Sequence, residues 1–292
     1  MPNIDLHIHT NASDGELSPE EVVDEAIKQN LKAVAITDHD TTSGIESAIN
    51  YFKNKKIKIV PGIEISCYEK NRGFEEVHVL GLFIEHKNKE LVRFTEKIKK
   101  DRIEQKKKII KKLNKSGLDI KFEEIKGFSS FSVGRPHIAR ALIKKYPNKF
   151  SSVKDVFDKY IGVGKLAYVD REYQTKAVDA IKIIKKAQGV AILAHPGVYN
   201  KKDSLELIKL FLELGGEGIE TFYPYHKICP ELKLDKKGND KLVGFYRGIA
   251  KRLGIIESGG SDFHGNQRPS RINEMHVPLE ILKRLINAAK TR

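Results

Sequence analysis

Short apolar runs that end on a histidine or a carboxylate recur along this chain, and stretches with helical spacing separate them. The first run, Ile4-Asp5-Leu6-His7-Ile8-His9-Thr10, alternates with period two, so Asp5, His7 and His9 share one face and Ile4, Leu6 and Ile8 the other. Ser18-Pro19-Glu20-Glu21 then supplies a serine N-cap, a proline at the first helical position and a glutamate at the third, which predicts a helix from about Pro19. Val22, Val23, Ala26 and Ile27 keep helical spacing behind it, and Ala33-Val34-Ala35-Ile36 has the length and character of a buried parallel strand. A strand, a helix and a strand of this length imply a right-handed crossover, which sets the two strand ends side by side. His9, Asp14 and His39 thereby converge on one rim.

The pattern repeats. Ile57-Lys58-Ile59-Val60-Pro61-Gly62-Ile63-Glu64-Ile65 carries a carboxylate among apolar neighbours, where an unpaired Glu64 would be costly to bury and a bound cation would remove the cost. Val77-His78-Val79-Leu80-Gly81-Leu82 holds a histidine in the same way, and Val190-Ala191-Ile192-Leu193-Ala194-His195 ends on one. Ile255-Ile256-Glu257-Ser258-Gly259-Gly260 leads to the pair Asp262 and His264. Taken singly, His78 or His195 reads as a hydrogen-bonded core histidine. Nine such residues at or near predicted strand ends read together as a multinuclear metal site, and so as metal-assisted hydrolysis of a phosphate ester. Helices predicted at about 177–187, 205–214 and 242–253, with a strand at Gly218-Ile219-Glu220-Thr221-Phe222 between them, complete a parallel α/β pattern. Tyr223-Pro224-Tyr225-His226 reads as a loop, and His86 and His276 as surface residues.

In order and spacing, His7-Ile8-His9-Thr10, Ser13-Asp14-Gly15, Thr37-Asp38-His39-Asp40-Thr41, Glu64, His78, Ala194-His195-Pro196-Gly197 and Gly260-Ser261-Asp262-Phe263-His264 resemble the PHP (polymerase and histidinol phosphatase) phosphoesterase family. Gly134-Arg135-Pro136-His137-Ile138-Ala139-Arg140 and Val156-Phe157-Asp158-Lys159-Tyr160-Ile161-Gly162-Val163-Gly164-Lys165 resemble the inserted region of one branch. That branch includes bacterial 3′,5′-nucleotide bisphosphate phosphatases and 5′-to-3′ exoribonucleases. Asn30 and Leu166 stand where it has glycine and proline, and Asn also suits a left-handed helix end. The resemblance implies a distorted seven-stranded (β/α) barrel, an α/β fold with its chemistry at the C-terminal rim of the strands. It also implies two or three divalent ions, with manganese first and zinc or iron as alternatives. One would sit on His7, His9, Glu64 and Asp262, a second on Glu64, His78 and His195, and a third on Asp14, His39 and His264. Glu64, Asp262 and His195 would then serve catalysis, with a metal-activated hydroxide as nucleophile. Asp38 and Asp40 could orient His39 or cap its turn.

The formal net charge of +14 is concentrated. Residues 88–166 hold 22 Lys and Arg against 9 Asp and Glu, or +13 of that excess. In Leu91 through Leu113, Phe94, Ile98, Ile103, Ile109, Ile110 and Leu113 lie among many lysines, which reads as an amphipathic helix with a basic face. Solubility accounts for such a face as well as attraction of a polyanion does. The expected organisation is a barrel of residues 1–87 and 167–292 interrupted by a basic, mainly helical insertion at 88–166. Arg135 and His137, flanking Pro136 at the start of a predicted helix, are candidate contacts to a substrate phosphate, with a capping role as the alternative.

Cys67 and Cys229 fall at no metal-ligand or redox spacing and read as free or buried thiols. No apolar run approaches a membrane span, and Met1-Pro2-Asn3 leads straight into a strand, so a cytoplasmic enzyme without a signal peptide or an obligate protein partner is expected. The expected substrate is a 3′,5′-bisphosphonucleotide or a short RNA. The alternatives are a small-metabolite phosphatase, such as one for histidinol phosphate, and a non-catalytic nucleic-acid-binding module.

Overall fold

A computed structural model describes residues 3–52, 57–126, 134–266 and 268–291; the Met1-Pro2 start and residues 127–133 lie outside them. One sheet holds β1 (Asn3–Asp5), β2 (Ala33–Ile36), β3 (Lys58–Glu69), β4 (Phe74–Leu82), β5 (Val190–Leu193), β6 (Gly218–Phe222), β7 (Ile256–Gly259) and β8 (Val277–Pro278). Its order is β7-β6-β5-β4-β3-β2-β1-β8. The parallel pairs β1/β2, β2/β3, β5/β6 and β6/β7 follow the crossover logic of the sequence. The short strand β8 adds an eighth member, antiparallel to β1, and β4 runs antiparallel to both neighbours. The reason for the latter is local. Only Lys70–Arg72 and Gly73, left-handed at φ +85°, separate β3 from β4, which suffices for a hairpin and not for a parallel crossover.

Beyond β1 the chain runs alongside the end of β7 and the irregular segment that follows it. His9 N donates to Phe263 O at 2.9 Å, Asp262 N to His7 O at 2.9 Å and Leu6 N to Gly259 O at 3.1 Å, bringing the sheet close to a closed barrel. The His7 and His9 segment lies outside regular strand because it pairs with an irregular partner through one isolated bridge, Ile8 to Phe263.

The helices are α1 (Pro19–Lys28), α2 (Ile45–Phe52), α3 (Lys89–Lys115), α4 (Phe122–Lys126), α5 (Arg135–Lys145), α6 (Val153–Val156), α7 (Ala177–Lys186), α8 (Lys201–Glu213), α9 (Tyr225–Ile228), α10 (Lys236–Leu253) and α11 (Leu279–Lys290). α1 begins on the capping box read from its sequence, with Ser18 Oγ accepting from Glu21 N and Glu21 Oε2 from Ser18 N. Asn30 closes its turn at φ +57°. The segment expected as a loop at 223–226 instead enters the one-turn helix α9, whose last residue lies just before Cys229 N bonds back to Tyr225 O.

Period-two alternation divides the core. Val34 and Ile36 join Val22, Val23, Ile63 and Ile65, whereas Ala33 and Ala35 join Leu80, Ile192 and the α11 residues Ile281, Leu282 and Leu285. A third cluster, with Ile109, Leu113, Ile138, Leu142, Phe150 and Ile161, belongs to the basic segment. Helix α3 spans two cores: Leu91 and Ile98 pack in the first and Ile109 and Leu113 in the third.

Candidate metal centre

All nine residues singled out by the strand-end pattern meet at one rim of this barrel, but they do not reach it in one way. His7, His9 and His39 stand on segments just past β1 and β2, whereas Glu64 and His78 lie mid-strand, because β3 and β4 overrun the rim as a hairpin before turning back. His195 and Asp262 occupy left-handed backbone, at φ +29° and +49°. Such conformations cost of order 1–3 kcal/mol each and are held here where two side chains must turn into the site. Gly260 allows the approach, since a Cβ there would lie 2.4 Å from His7 N.

Three groups of ligand atoms gather with every member within 4.8 Å of the others: His9, Asp14, His39 and His264; His7, His9 and Asp262; and His39, Glu64 and His78. Glu64 is the hub. Its Oε1 lies 3.0 Å from His78 Nδ1 and 3.1 Å from His195 Nε2, while Oε2 lies 3.1 Å from His39 Nδ1 and 3.2 Å from His9 Nε2. The grouping differs in detail from the resemblance: His39 faces Glu64 as well as Asp14, and His9 lies in two groups.

Burial would lift the carboxyl groups of Glu64, Asp262 and Asp14, but the surrounding imidazoles outweigh it and hold all three well below the usual range. Burial conversely pushes His39 down to about 3. The donor set fits divalent cations on a second ground. His7 Nε2, both ring nitrogens of His9, Asp14 Oδ1, His39 Nδ1, His78 Nε2 and His195 Nδ1 are buried without a hydrogen bond of acceptable geometry among the described residues. Buried polar atoms without partners are rare unless an ion or water completes them.

Residues outside the strand-end pattern hold this set in place. Glu220 of β6 accepts from His7 Nδ1 at 3.0 Å and from the His195 backbone N–H at 2.9 Å. That places the His7 proton on Nδ1 and leaves Nε2 free to face the cluster. Tyr223 Oη donates to Asp262 Oδ2 at 2.7 Å. Asp38 organises the first loop, accepting from Thr10 N, Thr10 Oγ1 and Ser13 Oγ at 2.6–2.7 Å. Asp40 turns the other way, accepting from Ser66 N and pairing with Arg102 and Arg171. Glu220, a carboxylate inside an apolar strand, carried the same sequence signal as Glu64. For Arg102 and Arg171 no sequence pattern existed.

A cavity of about 180 Å³ opens beside the cluster, lined by Asp14, His39 and His78 on one side and by Arg102, Lys106, Arg135 and Arg171 on the other. Arg102 Nε and Arg171 Nη1 are buried with no hydrogen-bond partner among the described residues. Arg135 lies 5.5 Å over the Phe157 ring and 5.7 Å over that of Tyr168. His137 does not line the cavity. It is fully buried and caps α5, its Nδ1 accepting from Gly134 N at 2.8 Å, and burial lowers its pKa to about 4.

A family model described as the PHP domain matches residues 5–190. The chain is 34% identical over 262 residues to the 5′-3′ exoribonuclease of Haemophilus influenzae, covering 89% of each protein. It is 32% identical over 268 residues to a 3′,5′-nucleoside bisphosphate phosphatase of Chromobacterium violaceum, covering 90% of this chain and 88% of that one. Its fold superposes with a TM-score of 0.81 and 28% identity on a Chromobacterium violaceum amidohydrolase solved with bound sulfate and no metal, over 98% and 96% of the two chains.

Proposed function

Because this chain belongs to the PHP family and is a metal-dependent phosphoesterase, we propose that it hydrolyses nucleotide phosphate esters whose second phosphate fills the cation-lined cavity. A 3′,5′-bisphosphonucleotide or a short 5′-phosphorylated RNA has that form, and relatives over most of the chain bear the names of both activities. The observation that carries this reading is the charge balance of the cavity. Arg102, Lys106, Arg135 and Arg171 line the cavity with the carboxylates Asp14 and Glu76, Asp40 pairs with two of the arginines from behind, and two arginine nitrogens are left unpartnered. A dianionic group would satisfy them. Histidinol phosphate carries its own ammonium group and one phosphate, and suits such a cavity less well.

His7, His9, Asp14, His39, Glu64, His78, His195, Asp262 and His264 would hold two or three divalent cations, with manganese the first candidate for a mixed imidazole and carboxylate set. Cations there supply Lewis acidity towards phosphoryl oxygens and lower the pKa of water. The remaining work belongs to the chain. Glu220 and Tyr223 fix the orientation of His7 and Asp262, and Arg135 with its neighbours offsets charge on the non-bridging oxygens. We read residues 88–166 as an insertion that supplies three of the four cations of the wall, Arg102, Lys106 and Arg135, a reading supported by the separate core within it. No helix among the described residues is long and apolar enough to cross a membrane, and both cysteines are buried free thiols, which supports a cytoplasmic location.

The test is a timed product analysis with the manganese-loaded protein on 5′-phosphorylated tetraribonucleotides and on a 3′,5′-bisphosphonucleotide. Mononucleotides released in order from the 5′ end, or inorganic phosphate from the bisphosphonucleotide, are expected. Asp262→Asn should lower the rate on the order of a hundredfold or more and weaken Mn²⁺ binding in calorimetry. A loaded protein that leaves both substrates intact, while cleaving a monophosphate metabolite, would overturn the reading.

A further inference from the structure

Arg135 differs from the other arginines of the cation-lined cavity in what holds it. Arg102 Nη1 and Arg171 Nη2 both pair with Asp40 Oδ2, so each gives donors to a carboxylate. The Arg135 guanidinium makes no ion pair among the described residues. It lies instead over two aromatic rings, 5.5 Å from the centroid of Phe157 and 5.7 Å from that of Tyr168. An aromatic ring attracts a guanidinium through its face and leaves the N–H donors unspent. Arg135 is thereby fixed with its donors available, and it lines the cavity that opens beside the metal ligands.

Local structure brings the two rings together. Directly after α6, Phe157–Ile161 form a wide π-helical turn, closed by Gly162 N donating to Phe157 O at 2.8 Å. Such turns are uncommon and often fall at functional positions. Its end requires glycine, since a Cβ on Gly162 would lie 2.7 Å from Phe157 O. The chain then doubles back: Ala167 N donates to Tyr160 O and Tyr168 N to Lys165 O, both at 2.9 Å. Tyr168 is anchored in turn. Its hydroxyl donates at 2.9 Å to Asp170 Oδ1, which Lys70 of the turn between β3 and β4 meets at 2.8 Å. The stretch from Val156 to Lys165 contributes no metal ligand, yet through Phe157 it builds part of the cavity wall.

Resting on the phosphoesterase reading above, we infer that Phe157 and Tyr168 are positioning residues that hold Arg135 ready for the second phosphate of the substrate. The rings restrict a long side chain before the substrate arrives, so less rotamer freedom is lost on binding. The open edge of the guanidinium then meets the phosphate oxygens bidentately. A substrate whose one phosphate sits at the metal ligands gains nothing from the arrangement.

The decisive quantity is the ratio of kcat/KM for a 3′,5′-bisphosphonucleotide to that for a nucleoside 3′-monophosphate, which lacks the second phosphate. Phe157→Leu and Tyr168→Leu should each lower this ratio about fivefold, chiefly through KM for the bisphosphonucleotide. Phe157→Tyr keeps a π-face and should retain most of it. Added to Arg135→Ala, Phe157→Leu should lower the ratio no further, because the group it positions is gone. A ratio unmoved by both leucine variants, equal losses on both substrates, or a full additional loss on top of Arg135→Ala overturns the inference. Calorimetric titration of inorganic phosphate in EDTA separates it from the parent reading. If the native protein hydrolyses neither nucleotide, that reading fails. Phosphate bound roughly fivefold more weakly by Phe157→Leu and by Arg135→Ala than by the native protein would still support the positioning role. Phosphate bound alike by the native protein and Phe157→Leu, or by neither, overturns it.

Discussion

Lys106 illustrates how far a single side chain can sit from its preferred state. It is buried on α3, donating to Gln105 Oε1 at 2.6 Å, and burial followed by the nearby Arg102, Arg171 and Arg135 holds its pKa well below the ordinary lysine range. The unfolded chain therefore binds more protons at this position than the folded one, and stability rises as pH climbs towards about 10. Replacing the lysine removes that cost. Lys106→Met should stabilise the fold by roughly 1 kcal/mol near neutral pH, with the gain shrinking as the pH approaches 10, as measured by urea denaturation across pH. The same variant should bind a bisphosphonucleotide more weakly. A Met variant less stable than its parent at pH 7 would show that the lysine's contacts outweigh its desolvation.

At the scale of elements, Asp40 joins four segments through one carboxylate. It sits just past β2, accepts from Ser66 N of β3 at 2.9 Å, and pairs with Arg102 of α3 and with Arg171 in the stretch before α7. Removing the charge leaves two buried guanidinium groups uncompensated, a change of about 3 kcal/mol. Asp40→Asn should show that loss in thermal or urea unfolding, and should raise KM for a bisphosphonucleotide because both arginines also line the cavity. The backbone would not contribute to the loss, since Asp40 sits at φ +56° and Asn tolerates that region at least as well. The β3 and β4 hairpin makes a comparable point about geometry: by overrunning the rim, it delivers Glu64 and His78 from mid-strand while the other ligands arrive from loops.

Over the whole molecule, charge and substrate length are coupled. Residues 88–166 carry +13 of the formal +14, and part of it, in Arg102, Lys106 and Arg135, faces the cavity while lysines such as Lys107 and Lys111 remain exposed. If three RNA phosphates meet cationic side chains, raising salt from about 50 to about 200 mM should lower kcat/KM on a short RNA about 20-fold. A bisphosphonucleotide held in the cavity should respond several-fold less. Equal salt sensitivity of the two substrates would confine the relevant charge to the cavity and assign the exposed lysines to solubility alone.

The candidates near β1 and β2 were legible because their logic is local: period-two strands, the Ser18 cap and a crossover of fixed hand bring those strand ends to one rim. The left-handed turn at Asn30 was legible for the same reason. What supports that set was not. Glu220 meets His7 across 213 residues, Tyr223 meets Asp262 across 39, and Arg171 meets Asp40 across 131. None of these pairings leaves a spacing that a chain can be searched for. The antiparallel sense of β4 and the sharing of His9 and His39 between ligand groups likewise depend on packing and register. The sequence by itself determined which residues are candidate ligands and that those after β1 and β2 share a rim, since strand periodicity and the hand of the crossover dictate it. Only the tertiary structure decided how those residues are divided and oriented, and which distant cations build the cavity beside them, because long-range packing sets those distances.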